Sequence, residues 1–363
     1  MKGIIILTMF AKSDKAKKTG TLWLFYEMYH IKICLISFSF VAIEAYFVFN
    51  IITIAKTYIM ATFEIKRILV PVDFSEAGEK AIDYAVNMAK INGANITLAH
   101  IAEGASYIYD SDALGISKSI RNEYEVLLHD AIKMKLEELK GRLVQQGVKD
   151  VEYYIETGKV YKKIIELAES TKTNIVIMGT HGVSGLREFI IGSNTFRVVG
   201  GATCPVLSVQ NKGKENKFRS ILLPFKDKAH SRESVDYAVQ IAKLYDGTVH
   251  LLGINTDPDP GALKKMQFEA KQTQEIIESC GVKCTTDVLT GGYVSELILS
   301  FAENKQTDLI AIVADLDKMA ISEYVSGPVV QQIVNHSQIP VLSVHPLIKG
   351  KLIAGGSDWS YWA

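Results

Sequence analysis

An internal repeat constrains this chain more than any other feature, because a repeated segment has to fold into a repeated unit. Arg67-Ile-Leu-Val-Pro-Val-Asp-Phe-Ser75, followed by Ala81-Ile-Asp-Tyr-Ala-Val-Asn-Met-Ala-Lys90, recurs as Ser220-Ile-Leu-Leu-Pro-Phe-Lys-Asp-Lys228 and Ser234-Val-Asp-Tyr-Ala-Val-Gln-Ile-Ala-Lys243, at a constant offset of 153. Further on, Thr203-Cys-Pro-Val-Leu-Ser-Val209 recurs as Gln338-Ile-Pro-Val-Leu-Ser-Val344 at an offset of 135. The second copy is therefore 18 residues shorter in its middle, and a shorter helix is the expected accommodation.

Within the first copy, short β-branched runs alternate with helical periodicity, which implies βαβ units and a parallel sheet covered on both faces. Strands are expected at 67–72, 95–102, 151–156, 174–179 and 205–209. Ala81, Ile82, Ala85 and Ala89 recur at spacings of three and four, with Ser75 placed to cap their helix. Leu128, Ile132, Leu136, Leu139 and Leu143 draw a second stripe along a long helix ending at Gly147. The expected fold is α/β: two tandem doubly wound domains, each a five-stranded parallel sheet of order 3-2-1-4-5 with helices on both faces. The last strands, 205–209 and 340–344, are apolar edge strands, so the two copies are expected to join through them. The expected divisions are an extension (1–59), a first domain (60–210), a polar linker (211–217), a second domain (218–346) and a Gly/aromatic tail (347–363) that suits a docking peptide or a disordered end.

Composition narrows the partners. Forty Lys+Arg balance forty Asp+Glu, so no overall positive field exists to hold nucleic acid or an anionic membrane. Four cysteines are too few for a secreted disulfide scaffold, and a reducing, cytoplasmic setting is the default. Two readings compete for the first 59 residues. The apolar run 33–55, interrupted by Glu44 and Asn50, is long enough for a membrane anchor. The segment is also crowded with residues that AT-rich codons encode, and Met60-Ala61-Thr62 just before the first strand suits a natural start.

Chemistry is expected where strand ends converge at the switch point of the sheet. Pro71-Val72-Asp73 closes the first strand, and Gly179-Thr-His181-Gly182 follows the fourth, leading to Gly192-Ser193-Asn194-Thr195 at a helix start. Glycines let a phosphate approach the backbone, and the helix start turns its unpaired N–H groups and positive dipole end toward the anion. Asp73 beside phosphates suits a divalent cation or a ribose hydroxyl.

This constellation resembles the ATP-binding branch of the universal stress protein family, with its G-x2-G-x9-G-[ST] fingerprint met at Gly179, Gly182, Gly192 and Ser193. The resemblance covers about residues 64–345 as a tandem pair. It implies ATP with Mg²⁺ or Mn²⁺: adenine and ribose near Val72 and Ile101, Asp73 toward ribose and metal, and Gly182, Gly192, Ser193, Asn194 and Thr195 on the phosphates. His181 is expected to make a phosphate or loop hydrogen bond, since no acid or nucleophile can be paired with it from sequence.

The second copy departs from the pattern. Lys226 stands at the position of Asp73, and the loop from Val313 keeps only Gly327, with Asp315 and Asp317 added and Pro328 at the helix start. One ATP, in the first copy, is the expectation. The implied role is a stress-response regulator or adaptor with slow hydrolysis at most, an unidentified protein partner, and an intramolecular pseudo-dimer capable of homo-oligomerisation. The alternative is an interaction scaffold of the same fold that binds no nucleotide.

Overall fold

In the first copy β1 (Arg67–Pro71), β2 (Asn95–Ala102), β3 (Val151–Thr157), β4 (Ile175–Gly179) and β5 (Val206–Val209) alternate with α1 (Glu76–Asn92), α2 (Lys118–Gln145), α3 (Val160–Ser170) and α4 (Ser193–Gly201). In the second, β6 (Ser220–Phe225), β7 (Thr248–Asn255), β8 (Lys283–Thr290), β9 (Leu309–Val313) and β10 (Val341–Val344) alternate with α5 (Glu233–Tyr245), α6 (Pro260–Ser279), α7 (Val294–Asn304) and α8 (Val329–His336). This computed structural model describes residues 64–102, 118–180, 192–210, 217–225, 233–314 and 329–344, all within one compact unit, Phe63–Ala363. The apolar run 33–55, the tail, and residues 103–117 between β2 and α2 lie outside the described residues. Among the described residues no helix is long and apolar enough to cross a membrane.

The ten strands form one sheet in the order β3-β2-β1-β4-β5-β10-β9-β6-β7-β8. Each copy therefore has the expected internal order, and the copies join edge to edge through β5 and β10. That pair is antiparallel, with Leu207 opposite Leu342, Ser208 opposite Val341 and Val206 opposite Ser343. A local two-fold relation thus runs through the Leu207–Leu342 pair. The join removes both inner edges, and the strands are buried at every position, as apolar edges need to be.

Helix α1 forms because an alanine-rich stripe faces the sheet and both ends are capped. Ser75 Oγ accepts from the Gly78 N–H, and left-handed Gly93 closes the last turn through its N–H to Ala89 O. In α2 the buried stripe is Ile132, Leu136, Leu139 and Leu143. The expected first member, Leu128, is instead 44% exposed, so the buried stripe starts one turn later, at Ile132. Right-handed crossovers place α1 and α2 on one face, where Arg142 of α2 meets Glu79 of α1 at 2.6 Å. On the other face α3 and α4 share a core with Leu69, Ala99, Ile101, Val176 and Met178.

A shorter helix alone does not account for the deletion in the second copy. The long helix shrinks from 28 residues in α2 to 20 in α6, and the connection before it shrinks as well, to Thr256-Asp-Pro-Asp259. Pro260 then opens α6 at its first position, where no intrahelical N–H is needed.

Candidate functional site

Strands β1 and β4 are neighbours, and the crossovers on either side of them run to opposite faces, so their carboxyl ends frame the switch point. Val72 continues β1 by donating its N–H to Ala99 O at 2.8 Å and is buried. Asp73 follows, half-buried, with Oδ1 accepting from the Ser75 N–H at 3.0 Å and the Ser75 hydroxyl at 2.6 Å. One carboxylate oxygen is thus committed to the turn that starts α1.

Gly179 ends β4 against the first turn of α1. A Cβ there would lie 2.8 Å from Ala77 C and Cβ, so this glycine has a packing reason besides any ligand. Thr180 is buried and donates its N–H to Val209 O at 2.9 Å, while its own carbonyl accepts the Gly192 N–H at 2.7 Å. The Thr195 hydroxyl donates to Gly179 O at 2.9 Å. Two hydrogen bonds therefore pin the start of α4 to the end of β4.

That helix start differs from the start of α1. Gly192 is its N-cap, with φ −57°, and among the described residues no side chain caps the first turn. Ser193 is exposed and Asn194 half-buried. The first amides of a helix have no intrahelical partner, and its amino end carries the positive end of the dipole. The geometry brings Pro71, Val72, Asp73, Gly179, Gly192, Ser193, Asn194 and Thr195 to one rim. Ile101 sits farther in, 9% exposed, as part of the core under α3. His181 and Gly182 lie outside the described residues.

Sequence reasoning missed three residues at this rim. Phe74 takes a left-handed φ of 59°. His100 Nδ1 lies 2.8 Å from Val72 O, and since a carbonyl only accepts, the ring donates there. A Cβ at Gly78 would lie 2.7 Å from Asp73 Oδ1, so a side chain there would push the carboxylate from its place. Only Gly78 left a signal, as a small residue in the first turn of a helix.

The counterpart rim in the second copy is built differently. Ala314 donates to Val344 O as Thr180 does to Val209 O, so Val313 stands where Gly179 does. Lys226, Asp315, Asp317, Gly327 and Pro328 lie outside the described residues. Elsewhere, Cys204, Cys280 and Cys284 are free and buried, and burial pushes the thiols of Cys204 and Cys284 up to about 12. Among the described residues no group of three or more His, Cys, Asp or Glu gathers as a metal site.

The sequence profile of the universal stress protein family matches residues 64–210 and again 217–345. The chain belongs to the universal stress protein family. A universal stress protein of Methanocaldococcus jannaschii is 32% identical over 157 residues, covering 40% of this chain and 96% of that protein. Another, from Bacillus subtilis, is 30% identical over 151 residues, covering 40% and 98%. Among solved structures, a universal stress protein from Archaeoglobus fulgidus covers 78% of this chain and 99% of its own, with TM-score 0.61 and 18% identity. That last likeness is one of fold, and it extends over both copies of this universal stress protein.

Proposed function

We propose that this tandem universal stress protein binds one ATP per chain, in its first copy, and acts through that occupancy as a stress-response regulator or adaptor. The observation that carries the reading is the first turn of α4, which no side chain caps among the described residues and which is pinned to the end of β4 at the switch point where the Asp73 turn closes β1. An anion seated there would meet backbone N–H groups and the positive helix end. The phosphates fall to Gly182, Gly192, Ser193, Asn194 and Thr195. At Thr195 the backbone N–H is the donor available to them, since its hydroxyl serves Gly179.

Asp73 turns one carboxylate oxygen to Ser75, and the other is assigned to a ribose hydroxyl or a divalent ion. A single carboxylate fits Mg²⁺ or Mn²⁺ held mainly by phosphate oxygens and water. Adenine belongs on the side of Val72 and Ile101. The second copy lacks the aspartate and the glycine pattern, which supports a stoichiometry of one.

Calorimetry and native mass spectrometry test this. ATP should bind with a stoichiometry of one. Ser193→Asp places a carboxylate in the exposed first turn of α4, where it complements the positive helix end but repels phosphate, so affinity should fall at least tenfold, about 1.4 kcal/mol, with stability unchanged or raised. Gly192→Val should abolish binding, while Gly327→Val leaves it untouched. No binding by the wild type at millimolar ATP would leave the scaffold reading in its place.

A further inference from the structure

We propose that Phe74 is a positioning residue for the Asp73 turn, held in place by His100 and Lys135. The part assigned to Asp73 rests on the nucleotide reading above, whereas the way Asp73 is held rests on geometry alone. Four non-glycine residues among those described have positive φ: Phe74, Lys172, Asp246 and Gln306. The last three follow the ends of α3, α5 and α7, where a left-handed residue is a routine terminator. Phe74 precedes a helix, where no capping rule asks for that conformation. A bulky residue held there is strained, and it persists only where its surroundings fix it.

Two side chains bracket the ring. The Phe74 ring lies 5.2 Å from the His100 ring, centroid to centroid, and the Lys135 ammonium sits 5.0 Å from the Phe74 centroid. His100 in turn donates to Val72 O at 2.8 Å. The residues on both sides of Asp73 are thereby tied to β2 and α2. The bend at Phe74 turns the Ser75 N–H back onto the Asp73 carboxylate at 3.0 Å. Gly78 then leaves space for that carboxylate against the helix.

The second copy serves as an internal control. At the offset of 153, Lys226 replaces Asp73, Asp227 replaces Phe74, Ser231 replaces Gly78 and Gly253 replaces His100. Aligning α2 and α6 on the left-handed glycines that follow them, Gly147 and Gly281, sets Glu269 opposite Lys135. Residues that serve only the fold persist across the copies, as Pro71 and Pro224 do, or Tyr84 and Tyr237. The holder and the residue it holds are missing together, which is expected if the holder exists for Asp73.

Two measurements test the proposal. The first needs no nucleotide: in Phe74→Ala, the Ser75 and Gly78 amides should exchange at least tenfold faster than in the wild type, with the Leu69 amide in the buried centre of β1 unchanged. Phe74→Tyr, which keeps the ring, should restore slow exchange. Unchanged Ser75 and Gly78 protection in folded Phe74→Ala would overturn the proposal. The second is a double-mutant cycle on ATP affinity. Phe74→Ala should weaken binding about fivefold in the wild type and have no further effect in Asp73→Ala. An equal loss in both backgrounds would overturn the action through Asp73. A wild type that binds no ATP would defeat the nucleotide reading and leave the exchange measurement to decide the holder.

Discussion

A methyl group added at Gly179 would sit 2.8 Å from the backbone and Cβ of Ala77, where no flexible side chain can move aside. Gly179→Ala should therefore cost about 1–3 kcal/mol in urea unfolding, with or without ATP. A variant of wild-type stability would show that β4 and α1 can separate more easily than their contact implies. His250, on β7, supplies a pH dependence. Its Nδ1 lies 2.8 Å from Thr285 Oγ1, and burial first, then the Lys305 charge, hold its pKa below the ordinary value, against Asp287. With the folded value depressed, the unfolded chain takes the proton first as pH falls below about 6.5, so this contribution to stability is present above that pH and lost beneath it. His250→Gln should show a smaller fall in urea midpoint between pH 7.5 and pH 5.5 than the wild type. An identical fall would place the acid sensitivity elsewhere.

At the scale of elements, what was legible in the sequence was what depends on neighbours along the chain. Strand runs such as Ile68-Leu-Val70 and the capping Ser75 declare themselves within a few residues, and the repeat fixed the topology twice over. Leu128 misled because periodicity shows which side of a helix is apolar and not how far along it burial extends; Ile132 is buried and Leu128 is not. At the rim, the glycine spacing pointed to the start of α4, but the packing of Gly179 on Ala77 needed the structure. The contact of Phe74 with His100 and Lys135 was invisible for the same reason. Those three residues lie on a loop, a strand and a helix, and no local pattern reports their meeting. Helices α4 and α8 add a contact of this kind between the copies. Phe196 of α4 packs on the core of the second copy, and Val330 of α8 touches both cores.

For the whole molecule, the two copies are also fastened on the opposite face of the sheet. Phe218 is 1% exposed, stacked on Tyr84 of α1 at 5.5 Å and meeting Tyr245 of α5 edge-on at 5.2 Å. Phe218→Ala should cost about 3–5 kcal/mol and loosen the copies from each other. The expected readout is a single urea transition in the wild type that broadens or splits in the variant; a single transition of unchanged midpoint would mean that β5 and β10 suffice. The pairing of those two strands has a further result. Two separate chains meeting through such an edge would assemble by mass action, and any ligand sensitive to the assembly would bind differently as the protein is diluted. Here the linker makes the meeting intramolecular, at an effective concentration set by the chain itself. One half can then lose its ligand chemistry without losing its partner, and the affinity of the other half is freed, at this join, from how much protein the cell happens to contain.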